Sequence, residues 1–188
     1  MQDCGNTSAV SNGGSVGGLI GYASDTVEMY GCSNAGNIWA SSNGCCAGLL
    51  ARASKNAVIE KSSNKGNVGY YWNSTGENSF GGIIGECSGT AVITDCTNSG
   101  NISAYTKSGC GGIAGRLSKM ELRGCRNEGV ISSQGNIAGI VAIGSGNIFN
   151  CENYGNVKGF NSFRSAGIIV DSQDTSVVDG CVNYGSIS

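Results

Sequence analysis

Ten cysteines are the residues of this 188-residue chain with the clearest capacity for chemistry. Thiols can hold zinc, form disulfides or act as reactive groups. No C-x-x-C pair is present to bind zinc, and the chain contains no histidine, the commonest general base and metal ligand. The sequence therefore disfavours a metal centre and predicts no cofactor.

Two sets of charged residues offer the material for an acid–base site. Arg52, Glu86 and Arg116 occupy one position of successive repeats, and Arg126 and Glu152 occupy another. The first interpretation is a carboxylate with an activating arginine, which would suit polysaccharide cleavage. The second is a row of alternating charges on a solvent-exposed face, which would only favour the correct register of the coils. We prefer the second interpretation, because no tight cluster of acidic and basic residues falls on neighbouring repeats. The sequence thus predicts no catalytic residue.

Composition argues against several functional classes. Eleven basic residues against 13 acidic ones give a net charge of −2, which provides no electrostatic footprint for nucleic acid or an anionic membrane. The longest apolar runs, such as 168–170, are far shorter than the roughly 20 residues that span a bilayer. The chain begins Met-Gln-Asp-Cys without a basic, apolar leader, so we expect a soluble chain that carries no targeting signal of its own.

A repeat must position these residues. A segment of the form C-x-N-x-G-x-(I/V) starts near residues 4, 32, 62, 96, 125, 151 and 181, about 30 residues apart on average. A second block follows each start, such as the VGGLIG that ends at Gly21, and a third apolar position such as Met29 precedes the next start. Short runs of Ile and Val between turn formers predict strands. Three short strands per repeat predict one all-β domain over 1–188, a parallel β-helix of about six coils, for which right-handed coiling is the usual preference.

Equivalent positions should therefore stack about 4.8 Å apart in columns. One column is asparagine throughout, and we expect these residues at corners, where they tolerate left-handed backbone and pass amide hydrogen bonds between coils. Another is mostly cysteine, expected to be buried, inert and seldom bridged, because parallel Cβ vectors fit disulfide geometry poorly. These structural columns contain Asn34, Asn64, Asn98, Asn127, Asn153 and Asn183, and Cys32, Cys96, Cys125, Cys151 and Cys181.

Cys45 stands apart from the other thiols. Its column looks solvent-facing, so the sequence predicts an exposed thiol and the most reactive one in the folded chain. The other members of that column are Ser15, Ser79, Gly109, Asn136 and Arg164.

Length variation is concentrated in one connection, between the C-x-N-x-G-x-(I/V) segment and the second block, which we call the variable connection. Insertions on one edge of a solenoid usually mark its partner-facing side. Aromatic faces beside Asn and Ser suit sugar rings or a protein ligand. The alternative, to which we give more weight, is that the rings fold back over the backbone of their own connection. The aromatic candidates are Trp39, Tyr70, Tyr71, Trp72, Tyr105, Phe160 and Phe163.

The blocks GGLIG at 17, GGIIG at 81 and GGIAG at 111, alternating with C-x-N-x-G-x-(I/V), resemble the GLUG motif over essentially the whole chain. This repeat occurs in immunoglobulin A1 protease precursors and in large surface proteins of Gram-positive and gut bacteria. The resemblance implies a solenoid, a cell-surface location and a role in display, adhesion or spacing. Protease activity is not implied, because the chain has no H-E-x-x-H motif.

The sequence predicts a non-catalytic extracellular scaffold or adhesion module whose partner is a surface glycan or a host protein. It predicts neither nucleic-acid binding nor membrane insertion. Neither end shows a polar helix or a proline-bearing cap, so one alternative is a filament subunit that self-associates through its uncapped ends. The other alternative is a carbohydrate-active β-helix enzyme.

Overall fold

The computed structural model describes residues 1–41, 43–70, 78–104, 109–160 and 164–188. Within these ranges the chain is all-β, with strands β1 to β28 in chain order and no helix. It accordingly has no helix there that is long and apolar enough to cross a bilayer. All strand pairs between coils are parallel, so the predicted parallel β-helix of about six coils is confirmed.

Each coil contributes to four sheets, which we number in the order in which the chain visits them. Sheet 1 consists of β1 (Gly5–Asn6), β6 (Ser33–Asn34), β11 (Ser63–Asn64), β15 (Thr97–Asn98), β19 (Arg126–Asn127), β23 (Glu152–Asn153) and β28 (Val182–Asn183). Sheet 2 consists of β2 (Val10–Asn12), β7 (Ile38–Ala40), β12 (Val68–Tyr70), β16 (Ile102–Ala104), β20 (Ile131–Ser133) and β24 (Val157–Gly159).

Sheets 3 and 4 follow the variable connection. Sheet 3 consists of β3 (Val16–Gly17), β8 (Cys46–Ala47), β13 (Phe80–Gly81), β17 (Gly109–Gly111), β21 (Asn136–Ala138) and β25 (Arg164–Ala166). Sheet 4 consists of β4 (Ile20–Ala23), β5 (Val27–Tyr30), β9 (Leu50–Ala53), β10 (Ala57–Glu60), β14 (Ile84–Thr94), β18 (Ala114–Arg123), β22 (Val141–Phe149), β26 (Ile169–Ser172) and β27 (Val177–Asp179).

The division of a coil differs from the three predicted strands. The C-x-N-x-G-x-(I/V) segment forms two strands, one in sheet 1 and one in sheet 2, with a bend at its glycine. Glycine is required there because the coils approach closely: a Cβ on Gly66 would lie 1.9 Å from the carbonyl oxygen of Gly36. The second and third predicted strands merge instead into single long strands in β14, β18 and β22.

The register follows the sequence columns. Asn64 pairs with Asn98 in sheet 1, and Ile93 pairs with Leu122 in sheet 4. One-residue differences in repeat length are absorbed by irregularities in sheet 4, such as the shift after the Cys87–Leu117 pair. Equivalent side chains therefore face the core, or face outward, in both coils before and after each irregularity.

The core runs along the inside of the coils as stacked aliphatic side chains. Phe80 is its largest fully buried side chain, and Ile59, Ile93 and Ile113 are likewise without solvent exposure. Small thiols lie among them: Cys46 and Cys110 flank Phe80 in sheet 3. Apolar burial of this kind is the main favourable contribution to the stability of a fold.

The left-handed corner lies elsewhere than the sequence predicted. The column asparagines are in strands, and the residue immediately before each cysteine-column position has a positive φ, between 48° and 64°. Glycine, aspartate and asparagine tolerate that conformation best, which explains why they fill most of this column. Its members are Asp3, Gly31, Lys61, Asp95, Gly124, Asn150 and Gly180.

Candidate functional site

The asparagine column forms a continuous amide ladder inside the solenoid. Each Nδ2 donates to the Oδ1 of the next asparagine at 2.7–2.8 Å, from Asn6 through to Asn183. The same Nδ2 also donates to the carbonyl two residues ahead, which belongs to Ser8 in the first coil and to a glycine in the others, as Asn98 donates to Gly100 at 2.9 Å. The inner members are buried, so these bonds satisfy polar groups that water cannot reach. The column is a structural element of the scaffold.

Contacts of this ladder explain why the two sequence motifs occur together. A Cβ on Gly48 would lie 2.2 Å from Asn64 Cγ, and one on Gly82 would lie 2.3 Å from Asn98 Cγ. The glycine at the second position of each GG or AG pair therefore makes the space for the asparagine of the next coil. The GLUG-like block and the C-x-N-x-G segment are two halves of one packing unit.

A second amide ladder was missed by the sequence reasoning. The Oδ1 of Asn37 accepts the backbone N–H of Asn67 at 3.0 Å, and Asn67 accepts that of Asn101 in the same way. The signal was the asparagine after glycine in CSNAGNI, SSNKGNV and CTNSGNI. In the next coil Val130 takes this position: its backbone N–H donates to Asn101 Oδ1 at 2.9 Å, but its side chain offers no acceptor to the coil that follows. These asparagines are exposed and serve as acceptors.

The cysteine column is buried and hydrogen-bonded. Cys96 donates its thiol to the carbonyl of Thr94, two residues back, and Cys125 does so to Arg123. Ser62, which replaces cysteine in one coil, donates to Glu60 at 2.8 Å. The position therefore needs a small donor that satisfies a corner carbonyl, and this requirement was missed by the sequence reasoning. Cys32, Cys96, Cys125 and Cys151 are buried, and Cys181 is half-buried.

All ten cysteines are free thiols in this structure. Burial raises the pKa of the Cys110 thiol to about 12 and shifts that of Cys46 in the same direction. A thiol that stays protonated is a poor nucleophile and a poor metal ligand. Among the residues that the structure describes, no group of three or more His, Cys, Asp or Glu side chains could hold a metal ion.

Cys45 corrects the prediction of an exposed thiol. Its exposed fraction is 3%, and its Sγ donates to Glu86 Oε2 at 3.1 Å. Burial raises its pKa to about 12, and the neighbouring Glu86 carboxylate adds to the shift. The register was right, but Ser79 in the same column is also buried, and Cys45 lies against Gly85 and Glu86 of sheet 4. Cys45 is therefore not a reactive surface thiol.

The arginine–glutamate–arginine column is present as predicted. Glu86 pairs in register with Arg52 on one side and Arg116 on the other. Arg52 Nη2 lies 3.4 Å from Glu86 Oε1, and the exposed fractions of the two side chains are 46% and 18%. The thiol of Cys45 contacts the other oxygen of the same carboxylate. Glu86 is thus shared between a cation and a buried donor.

This column borders a pocket of about 380 Å³, which we call the charged pocket. The structure brings together residues of the variable connection and residues of sheet 4 that lie far apart in sequence. Backbone N–H of Gly44 donates to Asn78 Oδ1 at 2.7 Å, which ties the variable connections of two coils to each other. The polar groups that line the charged pocket belong to Asn43, Cys45, Arg52, Asn78, Glu86 and Arg116.

The second charged set, Arg126 and Glu152, stacks in register but is not joined as a simple pair. Arg126 Nε contacts Glu128 at 2.9 Å, and its guanidinium lies over the ring of Tyr154, 4.1 Å from the centroid. Tyr154 in turn stacks on Tyr184 at 4.5 Å. This exposed set stabilises a face of the solenoid and resembles no acid–base constellation.

The aromatic candidates have different positions. Trp39 is half-buried and its ring lies over the next coil, since a Cβ on Gly69 would meet Trp39 Cζ3 at 2.1 Å. Phe160 is 53% exposed at the end of sheet 2. The backbone of Tyr70 pairs with Ala40. Tyr71, Trp72, Tyr105 and Phe163 lie outside the residues that the structure describes.

Comparisons with protein-family models, with curated proteins and with solved structures return no match. The resemblance to the GLUG repeat therefore depends on the motif residues alone. The geometry of the charged pocket is the structural starting point for function.

Proposed function

We propose that this chain is a non-catalytic scaffold or adhesion module of a bacterial cell-surface protein, and that ligands contact the edge formed by the variable connections. The two amide ladders and the close glycine contacts fix each coil on its neighbour at many points. Rigid frames that hold variable loops are a common basis for recognition. The cell-surface location is drawn from the GLUG resemblance.

The observation that carries the proposal is the contrast between constant strands and one variable edge. Sheet 2 and sheet 3 keep their register throughout, although β12 and β13 are separated by residues 71–79 and β20 and β21 only by 134–135. If packing alone constrained the coil, every connection would have a constant length. A recognition surface tolerates connections of different lengths. The charged pocket lies at this same edge.

The chemistry of the charged pocket favours binding over catalysis. The Cys45 thiol has its pKa raised to about 12, so thiolate is scarce at neutral pH. Glu86 already accepts hydrogen bonds or charge from Cys45 and Arg52. A hydrolytic site of the usual kind needs two carboxylates at a set separation, and among the described residues that line this pocket Glu86 is the one carboxylate.

A glycan array and a host-cell adhesion assay with the purified chain test the proposal. Phe160→Ala and Trp72→Ala should weaken binding to the ligands that wild type captures, because both positions are in the variable connection. Tyr30→Ala, which removes an exposed ring from a corner of sheet 4, is the matched control and should bind like wild type. Unchanged binding in both edge variants, or turnover of any polysaccharide, contradicts the proposal.

Self-association is a second candidate, supported by one specific observation. Val178 is 46% exposed in the last coil, although its register partner Ile148 in the preceding coil is fully buried. A second copy stacked on this coil would cover Val178 and its exposed neighbours Val177 and Ile187. Light scattering decides between the candidates: a mass that grows with concentration favours a fibre, and a constant monomer mass excludes it.

A further inference from the structure

Two asparagines of the variable connections are each followed by a glycine. The pairs are Asn12–Gly13 in the first coil and Asn43–Gly44 in the second, and the sequence contains no other Asn-Gly pair. A glycine after an asparagine leaves the peptide nitrogen between them unshielded, because glycine has no Cβ. Both asparagine side chains are exposed, so water reaches both amides. Any difference in their chemistry must therefore come from the environment of the glycine nitrogen.

The nitrogen of Gly13 lies beside the amide of the preceding side chain. The backbone N–H of Gly13 donates to Asn12 Oδ1 at 2.7 Å. Because Oδ1 is bonded directly to the amide carbon Cγ, the nitrogen is already next to the carbon that it would attack to close a ring. Groups held this close react much faster than groups that must first find each other.

The nitrogen of Gly44 is held away from such a reaction. Its N–H donates to Asn78 Oδ1 of the neighbouring coil at 2.7 Å, rather than to its own Asn43. A Cβ on Gly44 would lie 2.1 Å from the carbonyl carbon of Gly14, so this part of the backbone packs directly on the preceding coil. Ring closure at Asn43 would have to break that hydrogen bond and move a packed peptide. The fold therefore protects Asn43 and leaves Asn12 reactive.

We propose that Asn12 is a site of spontaneous covalent modification, at which the side-chain amide is lost as ammonia. A base in solution removes the N–H proton of Gly13, and the nitrogen forms a bond to Asn12 Cγ. The bond between Cγ and Nδ2 breaks, and the conjugate acid of that base returns the proton to the departing ammonia. Water then opens the cyclic imide. Cleavage of the new bond gives aspartate, and cleavage of the original peptide bond gives isoaspartate.

The products change the variable edge of the first coil. Asn12 ends β2, and its carbonyl accepts the backbone N–H of Ser41 at 3.0 Å. Aspartate keeps this backbone but adds one negative charge, which takes the formal net charge from −2 to −3. Isoaspartate runs the main chain through the former side chain, so the carbonyl that accepts from Ser41 becomes a free carboxylate. This inference goes beyond the proposed binding role and does not depend on it.

Peptide mapping of the full chain tests the proposal. Native protein and protein in urea are incubated at pH 8, and samples are then digested after glutamate at pH 4, where little base is present to start the reaction. Glu28 lies between Asn12 and Asn43, so the two sites fall in different peptides, and fragment spectra assign the modified residue. In native protein we expect Asn12 to be lost at least about tenfold faster than Asn43. In urea the two rates should become similar, because both glycine nitrogens are then equally free.

The variant Asn12→Gln is the matched control. Glutamine would have to close a larger ring, so the modification of peptide 1–28 should disappear while Asn43 keeps its native rate. Circular dichroism checks the fold of the variant, and the fragment spectra of wild type decide the site independently. Wild-type modification of peptide 1–28 in Asn12→Gln would move the site to Asn6 and overturn the proposal. Equal rates at the two sites in native protein, faster loss at Asn43, or a native Asn12 that stays intact also overturns it.

Discussion

The substitution Asn98→Asp tests the inner amide ladder at its centre. Asn98 Nδ2 donates to Gly100 at 2.9 Å and to Asn127 Oδ1 at 2.8 Å, and its Oδ1 accepts from Asn64. A carboxylate keeps the accepting role but loses both donated bonds. Two buried acceptor oxygens then face another oxygen without a hydrogen between them.

The expected cost follows from those two acceptors. A buried polar group that loses its partner costs about 1–3 kcal/mol, so the substitution should lower the free energy of unfolding by about 2–6 kcal/mol. A typical domain is stable by only about 5–15 kcal/mol. For a chain of this size the midpoint of thermal unfolding should fall by roughly 4–24 °C at pH 7.

The outer ladder supplies the control for Asn98→Asp. Asn67 is exposed, and its Oδ1 accepts the backbone N–H of Asn101 at 3.0 Å. A carboxylate does this equally well, so Asn67→Asp should change stability by no more than about 0.5 kcal/mol. The same chemical change thus has opposite consequences in the two ladders.

Acid should partly rescue Asn98→Asp. Burial raises the pKa of the introduced carboxyl above its unfolded value, and the protonated form regains one donor. Folded protein then binds the proton more tightly than unfolded protein, so the penalty relative to wild type shrinks as the pH falls through the raised pKa. Differential scanning calorimetry of both variants and wild type at pH 7 and pH 4 measures this. An Asn98→Asp midpoint as high as that of Asn67→Asp at pH 7 would refute the reasoning.

Three further predictions follow from close contacts and buried thiols. Gly66→Ala should unfold the surrounding coils or lower the free energy of unfolding by several kcal/mol, because the added Cβ would lie 1.9 Å from the Gly36 carbonyl oxygen. Gly5→Ala is the control and should remain folded, because its added Cβ would have its nearest contact at 3.3 Å. Chemical denaturation measures both variants, and equal stabilities would contradict the steric account. The free energy of unfolding should fall as the pH rises from about 9 to about 12, because the pKa of Cys45 in the folded state is raised to about 12 and the folded state holds the thiol proton longer than the unfolded state does. Loss of this proton linkage contributes up to about 1.4 kcal/mol per pH unit and per thiol. Urea titrations that show no loss of stability across that pH range would count against it. Iodoacetamide at pH 8 should label Cys181 before Cys45 in native protein, because Cys181 is half-buried and Cys45 is only 3% exposed. Peptide mass spectrometry identifies the labelled cysteine. Labelling of Cys45 first would support the original prediction of an exposed thiol.

The parts of the fold that depend on repetition could be predicted from sequence. Equivalent letters about 30 residues apart stack directly, as Asn64 on Asn98 and Glu86 between Arg52 and Arg116 demonstrate. Parallel pairing with a constant register converts a sequence column into a spatial column, so identity and spacing suffice to place these residues.

The position of bends within a coil could not be read in the same way. The sequence placed left-handed backbone at the asparagines, and the structure places it before the cysteine column, at residues such as Asp95 and Gly124. Glycine, asparagine and aspartate all mark turns, so their presence indicates that the chain bends without fixing which residue takes the positive φ.

The candidate site also combines features that the sequence predicts with features that depend on the tertiary structure. The amino-acid order determined which charges share a column, and therefore that Glu86 lies between two arginines. Only the tertiary structure decided that Cys45 is buried against Glu86 and that Asn43 and Asn78 close a pocket around them. The reason is physical: register is a one-dimensional property that repeats preserve, whereas burial at the variable edge depends on how connections of unequal length fold over the strands beside them.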